Sequence, residues 1–337
     1  MANAITGVSS FTHTYTGREI LEPIFYSPQL SGKNPFDEYQ VIDNVKYKAN
    51  IYIPGKLQKI VTADSGCGFS ASGSATITDK VITPVRLKVN LEQCESEFDS
   101  SIFAEARKNG VMRDDLTGTI MEDIIRTSLS RGLSEDLIKL AWQSKSADSD
   151  AFYGNFDGFF QLIHGNTSDN GYNLDLDSTA FESGGALATD GAVGAMRQMY
   201  EKSARELYDF APEDLRYYVT KTVADNLLTT YENAGTDSGL NRLEAGGSSL
   251  KFRGIPVVTM PTWDTAFDDS ANPMASTIGD NAIVYTPKDN LVVASDITDI
   301  GSEALVWHDI KDEKMYTKVK FLFGCAIVHQ SLITQAY

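Results

Sequence analysis

A chain of 337 residues, 42% hydrophobic and 22% charged, can bury a sizeable core, which excludes global disorder and suggests one large domain or two to three subdomains. The formal net charge of −17 argues against broad contact with nucleic-acid phosphates or an anionic membrane. No stretch approaches the ~18 apolar residues of a membrane span, the opening Met-Ala-Asn-Ala-Ile-Thr-Gly lacks a signal peptide's charged and apolar regions, and Cys67, Cys94 and Cys325 follow no CxxC or zinc spacing, so a soluble protein of a reducing compartment is expected.

Residues 1–45 show no sustained period and are interrupted by Pro23, Pro28 and Pro35, so they read as an extended arm. Tyr47–Ile53 has a strand's composition. Pro54–Thr83 then reads as a long projecting hairpin with arms Lys56–Ala63 and Ala75–Ile82, rich in β-branched residues, and the tip Asp64-Ser-Gly-Cys-Gly-Phe-Ser-Ala-Ser-Gly73. An isolated hairpin is marginal in water and needs a surface to pack on, and so long an insertion marks an element with a job. With few large apolar side chains of its own, the hairpin is expected to lie on something else, most simply another copy of the chain. Lys56, Lys59, Phe69 and Lys80 are the candidate intersubunit contacts. Residues 41–90 hold seven Lys or Arg against three acids, a net of +4 that leaves −21 for the rest. A basic arm on an acidic body supplies intersubunit attraction; the same lysines also keep an exposed hairpin soluble and block edge pairing.

Val85–Leu91 alternates apolar and polar residues, the pattern of a half-buried strand. Leu116–Ser144 reads as a helix of ~40 Å, capped by Asp114 or Asp115. Its stripe is Met121, Ile125, Leu129, Leu133, Leu137 and Ala141, flanked by Ile120, Ile124, Ile138 and Trp142, with Gly132 as a place to bend. The aromatic run Asn155–Ile163 is expected to be a core strand or turn, and Gly165–Gly185 an acidic loop. A helix is predicted over Asp190–Tyr208, a strand over Arg216–Thr220, and a helix opened by Thr222-x-x-Asp225 and ending near Gly235. After a Gly-rich loop over 233–250 come the β stretches Phe252–Met260, Ala282–Ala294 and Met315–Ile333, the last long enough for two strands. The fold class is mixed α+β.

Catalytic patterns fail on context. His13, His164, His308 and His329 have no second His or Cys at metal-ligand spacing, and His308-Asp309, adjacent on a strand, point to opposite faces. Gly66-Cys-Gly-Phe-Ser-Ala71 matches a loose dinucleotide fingerprint but is followed by a strand-like segment instead of a helix. Gly68-Phe-Ser-Ala-Ser72 lacks the second glycine of a nucleophile elbow. Asn166–Asp177 lacks the leading Asp and closing Glu of a calcium loop. No catalytic residue, cofactor or metal is expected.

Taken in order over about residues 40–337, these elements resemble the major capsid protein of tailed phages, a fold shared with herpesvirus capsid floors and encapsulins. The resemblance matches Pro54–Thr83 to the family's extended loop, Val85–Leu91 and Leu116–Ser144 to the peripheral domain with its spine helix, and Asp157-Gly-Phe-Phe160 to the exit from that helix. The Arg216-Tyr-Tyr-Val-Thr220 strand with the Val223–Tyr231 helix, Lys251–Pro261 and Tyr285–Val293 match the axial domain, and Lys314–Val328 the return strand. It implies an N-terminal arm over 1–45, an extended hairpin over 46–84, a peripheral domain over 85–165, an axial domain over 166–300 and return strands over 301–337. The implied function is non-enzymatic: hexamers and pentamers of an icosahedral phage head that encloses double-stranded DNA in the virion, assembled in the host cytoplasm without a membrane. The implied partners are a portal and either a separate scaffold protein or none, with cement proteins left open, since no charged helical scaffolding segment is found at the N-terminal end. An encapsulin-type compartment shell is the nearest alternative. An α+β hydrolase or carbohydrate-binding protein using the Gly165–Gly185 loop is a more distant one.

Overall fold

The computed structural model describes residues 39–55, 60–61, 63, 76–94, 120–165, 173–174, 187–233, 250–279, 281–296, 305–309 and 314–337. Strands β1 (Gln40–Ile42), β2 (Ala49–Pro54), β3 (Ile77–Ile82) and β4 (Val85–Cys94) come first. Helices α1 (Ile120–Gln143) and α2 (Phe159–His164) follow, then β5 (Asn173–Leu174), α3 (Gly191–Lys202), β6 (Leu215–Val219) and α4 (Lys221–Asn233). The remainder runs β7 (Lys251–Phe252), β8 (Ile255–Thr259), α5 (Pro261–Phe267), α6 (Ala275–Ile278), β9 (Ile283–Pro287), β10 (Leu291–Ser295), β11 (Leu305–Asp309), β12 (Lys314–Ile327) and β13 (Thr334–Ala336).

Two larger sheets organise these strands. In one, β1 runs parallel to β10, β10 pairs antiparallel with β12, and β12 pairs antiparallel with both β4 and β11. The other has the order β5-β13-β9-β6-β8-β7. β9 and β10 are consecutive in the chain yet belong to different sheets, as are β12 and β13. The two crossings lie side by side, and Asn290 ties them together. Its amide donates to Thr286 Oγ1 and the His329 carbonyl, each at 3.0 Å, and its Oδ1 accepts the His329 N–H at 2.7 Å.

The core under the first sheet is aromatic. Trp142, Phe159, Phe160 and Trp263 are fully buried, with ring centroids 4.6 to 5.1 Å apart in tilted and edge-to-face pairs. Gly158 makes this packing possible: a Cβ there would stand 2.8 Å from the Trp142 carbonyl, while its N–H donates to Ser144 O at 2.7 Å. The chain thereby turns α2 back against the end of α1. Tyr39, the first described residue, also joins the core. Tyr39 stacks on Phe159 and Tyr218, and its hydroxyl accepts the Trp142 Nε1–H at 2.8 Å.

Several elements differ from the sequence expectation. The aromatic run turns helical from Phe159, because Phe159, Phe160 and Ile163 bury together on one side of a short helix. The helix expected to reach Tyr208 stops at Lys202, where Ser203 turns extended (φ −66°, ψ 164°) and a 3-10 turn follows. Phe252–Met260 is a hairpin: Arg253 and Gly254 take φ of 51° and 86°, the left-handed pair that a tight two-residue turn demands. Helix α4 begins at Lys221, so Thr222 lies inside its first turn and donates to Asn281 Oδ1 at 2.9 Å. Its end is capped from elsewhere: both Asp264 oxygens accept the Lys221 N–H at 3.2 Å. Ala282–Ala294 divides into β9 and β10. The expected start of the long helix at Leu116 and its caps Asp114 and Asp115 lie outside the described residues.

Candidate assembly surface

The hairpin root is a two-stranded ladder in which Ala49 faces Ile82, Ile51 faces Lys80, Ile53 faces Thr78, and Pro54 faces Ile77. Strand alternation therefore sorts its side chains onto two faces. The inner face carries Ala49, Ile51 and Ile82, which pack with Val45 onto Val292, Ala294 and Ala326 of the first sheet. That part of the sheet is built from small residues so that the hairpin can approach. At Gly324 a Cβ would lie 3.0 Å from the Pro84 backbone. The hairpin is thus anchored at its root by its own subunit.

The outer face is another matter. Tyr52 (69% exposed), Ile77 (69%) and Val81 project outward, with Tyr47 (76%) beside them and Ile60 and Val61 (90%) farther along. So many exposed large apolar groups around one element make this face a candidate contact surface. The sequence reading weighted the lysines and missed Tyr47 and Tyr52. The available signal was that Ala49–Pro54 carries apolar residues at both strand parities, which a half-buried strand does not need.

Of the four expected contact residues, Lys80 lies within the described hairpin, and its ammonium donates to Ile327 O of the same chain at 2.5 Å. Lys56, Lys59, Phe69, the tip Asp64–Gly73 and Cys67 lie outside the described residues, as does nearly all of the acidic loop between Gly165 and Gly185.

Among the described residues, some groups capable of chemistry make structural contacts. His164 meets Tyr337 edge-on at 5.7 Å. His308 sits in β11 opposite Met315. The Cys325 thiol donates to Asp157 O at 3.2 Å, and burial pushes it well above the ordinary thiol range, so it stays protonated. Among the described residues no group of three His, Cys, Asp or Glu side chains is placed to hold a metal ion, and no helix is long and apolar enough to cross a membrane.

A root-anchored hairpin, a long helix under a sheet crossed by a 14-residue strand, and a second sheet reached by two adjacent crossings define the fold of tailed-phage major capsid proteins. A procapsid of satellite phage P4 that includes the size-determination (Sid) protein is similar with a TM-score of 0.61 at 11% identity, over 99% of this chain and 92% of that chain. The capsid of cyanophage P-SCSP1u gives a TM-score of 0.52 at 11% identity, with coverages of 89% and 86%. Mycobacterium phage Ogopogo gives 0.52 at 13%, with coverages of 89% and 90%. No protein-family model matches the sequence, and no curated protein matches it.

Proposed function

We propose that this chain is the major structural subunit of an icosahedral phage head, a non-enzymatic protein that assembles with copies of itself as hexamers and pentamers around double-stranded DNA. The observation that carries the reading is the hairpin: rooted in its own subunit through Ile51 and Ile82, it presents Tyr52, Ile77 and Val81 to a neighbour. The fold it shares with phage capsid subunits supports the same role. In this reading residues 1–45 are an arm, 85–165 and 301–337 a peripheral domain, and 166–300 an axial domain, with Lys56, Lys59 and Phe69 near the contact. Arms that reach several neighbours suit a shell, because heterologous contacts that close about an axis form rings and flexible arms join the rings. A portal and separate scaffold or cement proteins complete the head.

Truncating the hairpin tests this. Deletion of Gln58–Ala75 leaves the β2–β3 ladder and its packing intact. Negative-stain electron microscopy and sedimentation should show shells or capsomers for the full chain, with phage partners supplied, and folded monomers for the deletion. Normal shells from the deletion, or a full-length chain that stays monomeric under every condition, would overturn the proposal.

A further inference from the structure

Strand β12 changes character halfway along one face. Val319, Phe321, Phe323 and Ile327 bury into the aromatic core. On the opposite face, Gly324 and Ala326 lie under the hairpin root, whereas Lys318 and Lys320 follow one another along the uncovered half. Register adds to the charge: Lys320 lies directly opposite Lys88 of β4, and Arg86 is next on that face. Like charges opposed across strands destabilise a sheet. Among the described residues neither Arg86, Lys88, Lys318 nor Lys320 has a carboxylate within salt-bridge distance, and the nearby pair Lys314–Glu92 is already satisfied. Four cations without a carboxylate partner among the described residues, on one face of a chain that totals −17, call for an anion.

A matching anion stands elsewhere on the same chain. Glu206–Asp214 contains Glu206, Asp209, Glu213 and Asp214, with no Lys or Arg between its ends. All four are exposed, and none has a salt-bridge partner among the described residues. Between them Tyr208 and Phe210 are part-exposed aromatics; Tyr208 packs edge-on against Tyr200 and donates its hydroxyl to the Tyr200 carbonyl at 2.7 Å, leaving its other side open. An acidic segment studded with aromatics has the composition of a protein–protein contact. Nucleic acid fits the basic face less well. Four cations are few beside the six to ten phosphate contacts of a typical binder, and the remaining −21 or so repels a polyanion at a distance.

We infer that the basic half-face of one subunit, Arg86, Lys88, Lys318 and Lys320, docks the acidic segment Glu206–Asp214 of a second copy. This rests on the assembly reading above and gives it an electrostatic contact distinct from the hairpin. Because the two patches differ, the contact is heterologous, the type that propagates head to tail and closes rings.

A charge swap tests the pairing. The variants are Lys88→Glu with Lys318→Glu, Glu213→Lys with Asp214→Lys, and all four together, followed by light scattering and electron microscopy across salt concentrations. Each single-side variant should lower assembly by about tenfold or more at low salt, because like charges are brought together across the contact. The four-fold variant should recover most of the loss, and wild-type assembly should weaken as salt rises. Lys88→Glu has a second readout: it relieves the repulsion with Lys320, so the melting temperature of the unassembled subunit should hold or rise while assembly falls. A merely structural role for Lys88 would lower both. Unimpaired assembly by a single-side variant, or no recovery in the swap, overturns the inference and leaves the hairpin reading standing. A wild type that never assembles overturns both. If Lys88→Glu with Lys318→Glu assembles normally but loses binding of a labelled DNA duplex, the face belongs to phosphates and the inference is wrong.

Discussion

Tyr39 is the sharpest single probe of how the first described residues are held to the aromatic core. Its ring is 5% exposed and stacks 5.9 Å from Phe159, and its hydroxyl is the acceptor for the fully buried Trp142 Nε1–H. Tyr39→Phe keeps the ring and orphans that indole donor, which costs roughly 1–3 kcal/mol. Tyr39→Ala also removes the ring and leaves a cavity, a further ~3–5 kcal/mol. An unfolding entropy of ~2.1 cal/mol/K per residue gives a chain of this length about 0.7 kcal/mol/K. The two substitutions should therefore lower the melting temperature of the unassembled subunit by roughly 1.5–4 °C and 6–11 °C respectively. Tryptophan fluorescence on heating reads this directly, since the probe is the partner itself. A melting temperature for Tyr39→Phe within half a degree of wild type would show that the hydrogen bond is not made. A small effect of Tyr39→Ala would remove residue 39 from the core altogether.

Two further substitutions test other joints. Asn290→Ala unties the two crossings between the sheets; losing the acceptor for His329 N–H and two donated bonds should cost roughly 2–3 kcal/mol in denaturant titration and speed hydrogen exchange at the His329 amide. Asp264 is raised above the ordinary carboxylate range, chiefly by burial, with the Lys221 N–H bond opposing the shift. A raised acid binds more protons folded than unfolded, so its contribution to stability is present at low pH and lost as pH rises from the unfolded to the folded value. Asp264→Asn keeps an acceptor for Lys221 and removes the charge. It should flatten the fall in melting temperature just above the ordinary carboxylate range, and an unchanged slope there would refute the assignment.

Local pattern made much of this fold legible. The alternation of Val85–Leu91 and the four-residue repeat through Leu133, Leu137 and Ala141 correspond to β4 and the buried end of α1. What escaped was set by contacts distant in sequence. The Asn155–Ile163 run breaks at extended Phe156 and Gly158 and turns helical only from Phe159, because Gly158 lets the backbone close on Trp142, a contact absent from local composition. The true cap of α4 is Asp264, 43 residues from Lys221. Likewise Ala282–Ala294 reads as one apolar stretch, and nothing short of the pairing shows that its halves serve different sheets. The candidate surface was legible only in its second arm, which corresponds to β3. The described ladder pairs that arm with Ala49–Pro54, expected as a separate strand, while most of the expected first arm lies outside the described residues, and the working face was not legible. That face depends on which strand parity the sheet covers, and the covering residues Val292, Ala294 and Ala326 lie more than two hundred positions away.

The distribution of exposed apolar side chains unites the two proposed contacts. Among the described residues nine large hydrophobic groups are exposed, and six of them, Tyr47, Tyr52, Ile60, Val61, Ile77 and Val81, belong to the hairpin region. Two more, Tyr208 and Phe210, fall within the acidic segment, and the ninth, Leu91, lies on β4 with the parity of Leu87 and Val89, on the face opposite the cations. A monomer has no reason to concentrate its unburied apolar surface this way, since scattered single residues are the ordinary pattern. Burial against neighbours supplies one. The hairpin contributes area without charge complementarity, whereas the segment and the basic face contribute matched charge around a few aromatics. On the two proposals together, affinity and register are separable: the first would reside in Tyr52, Ile77 and Val81, and the second in the pairing of the basic half-face with Glu206–Asp214.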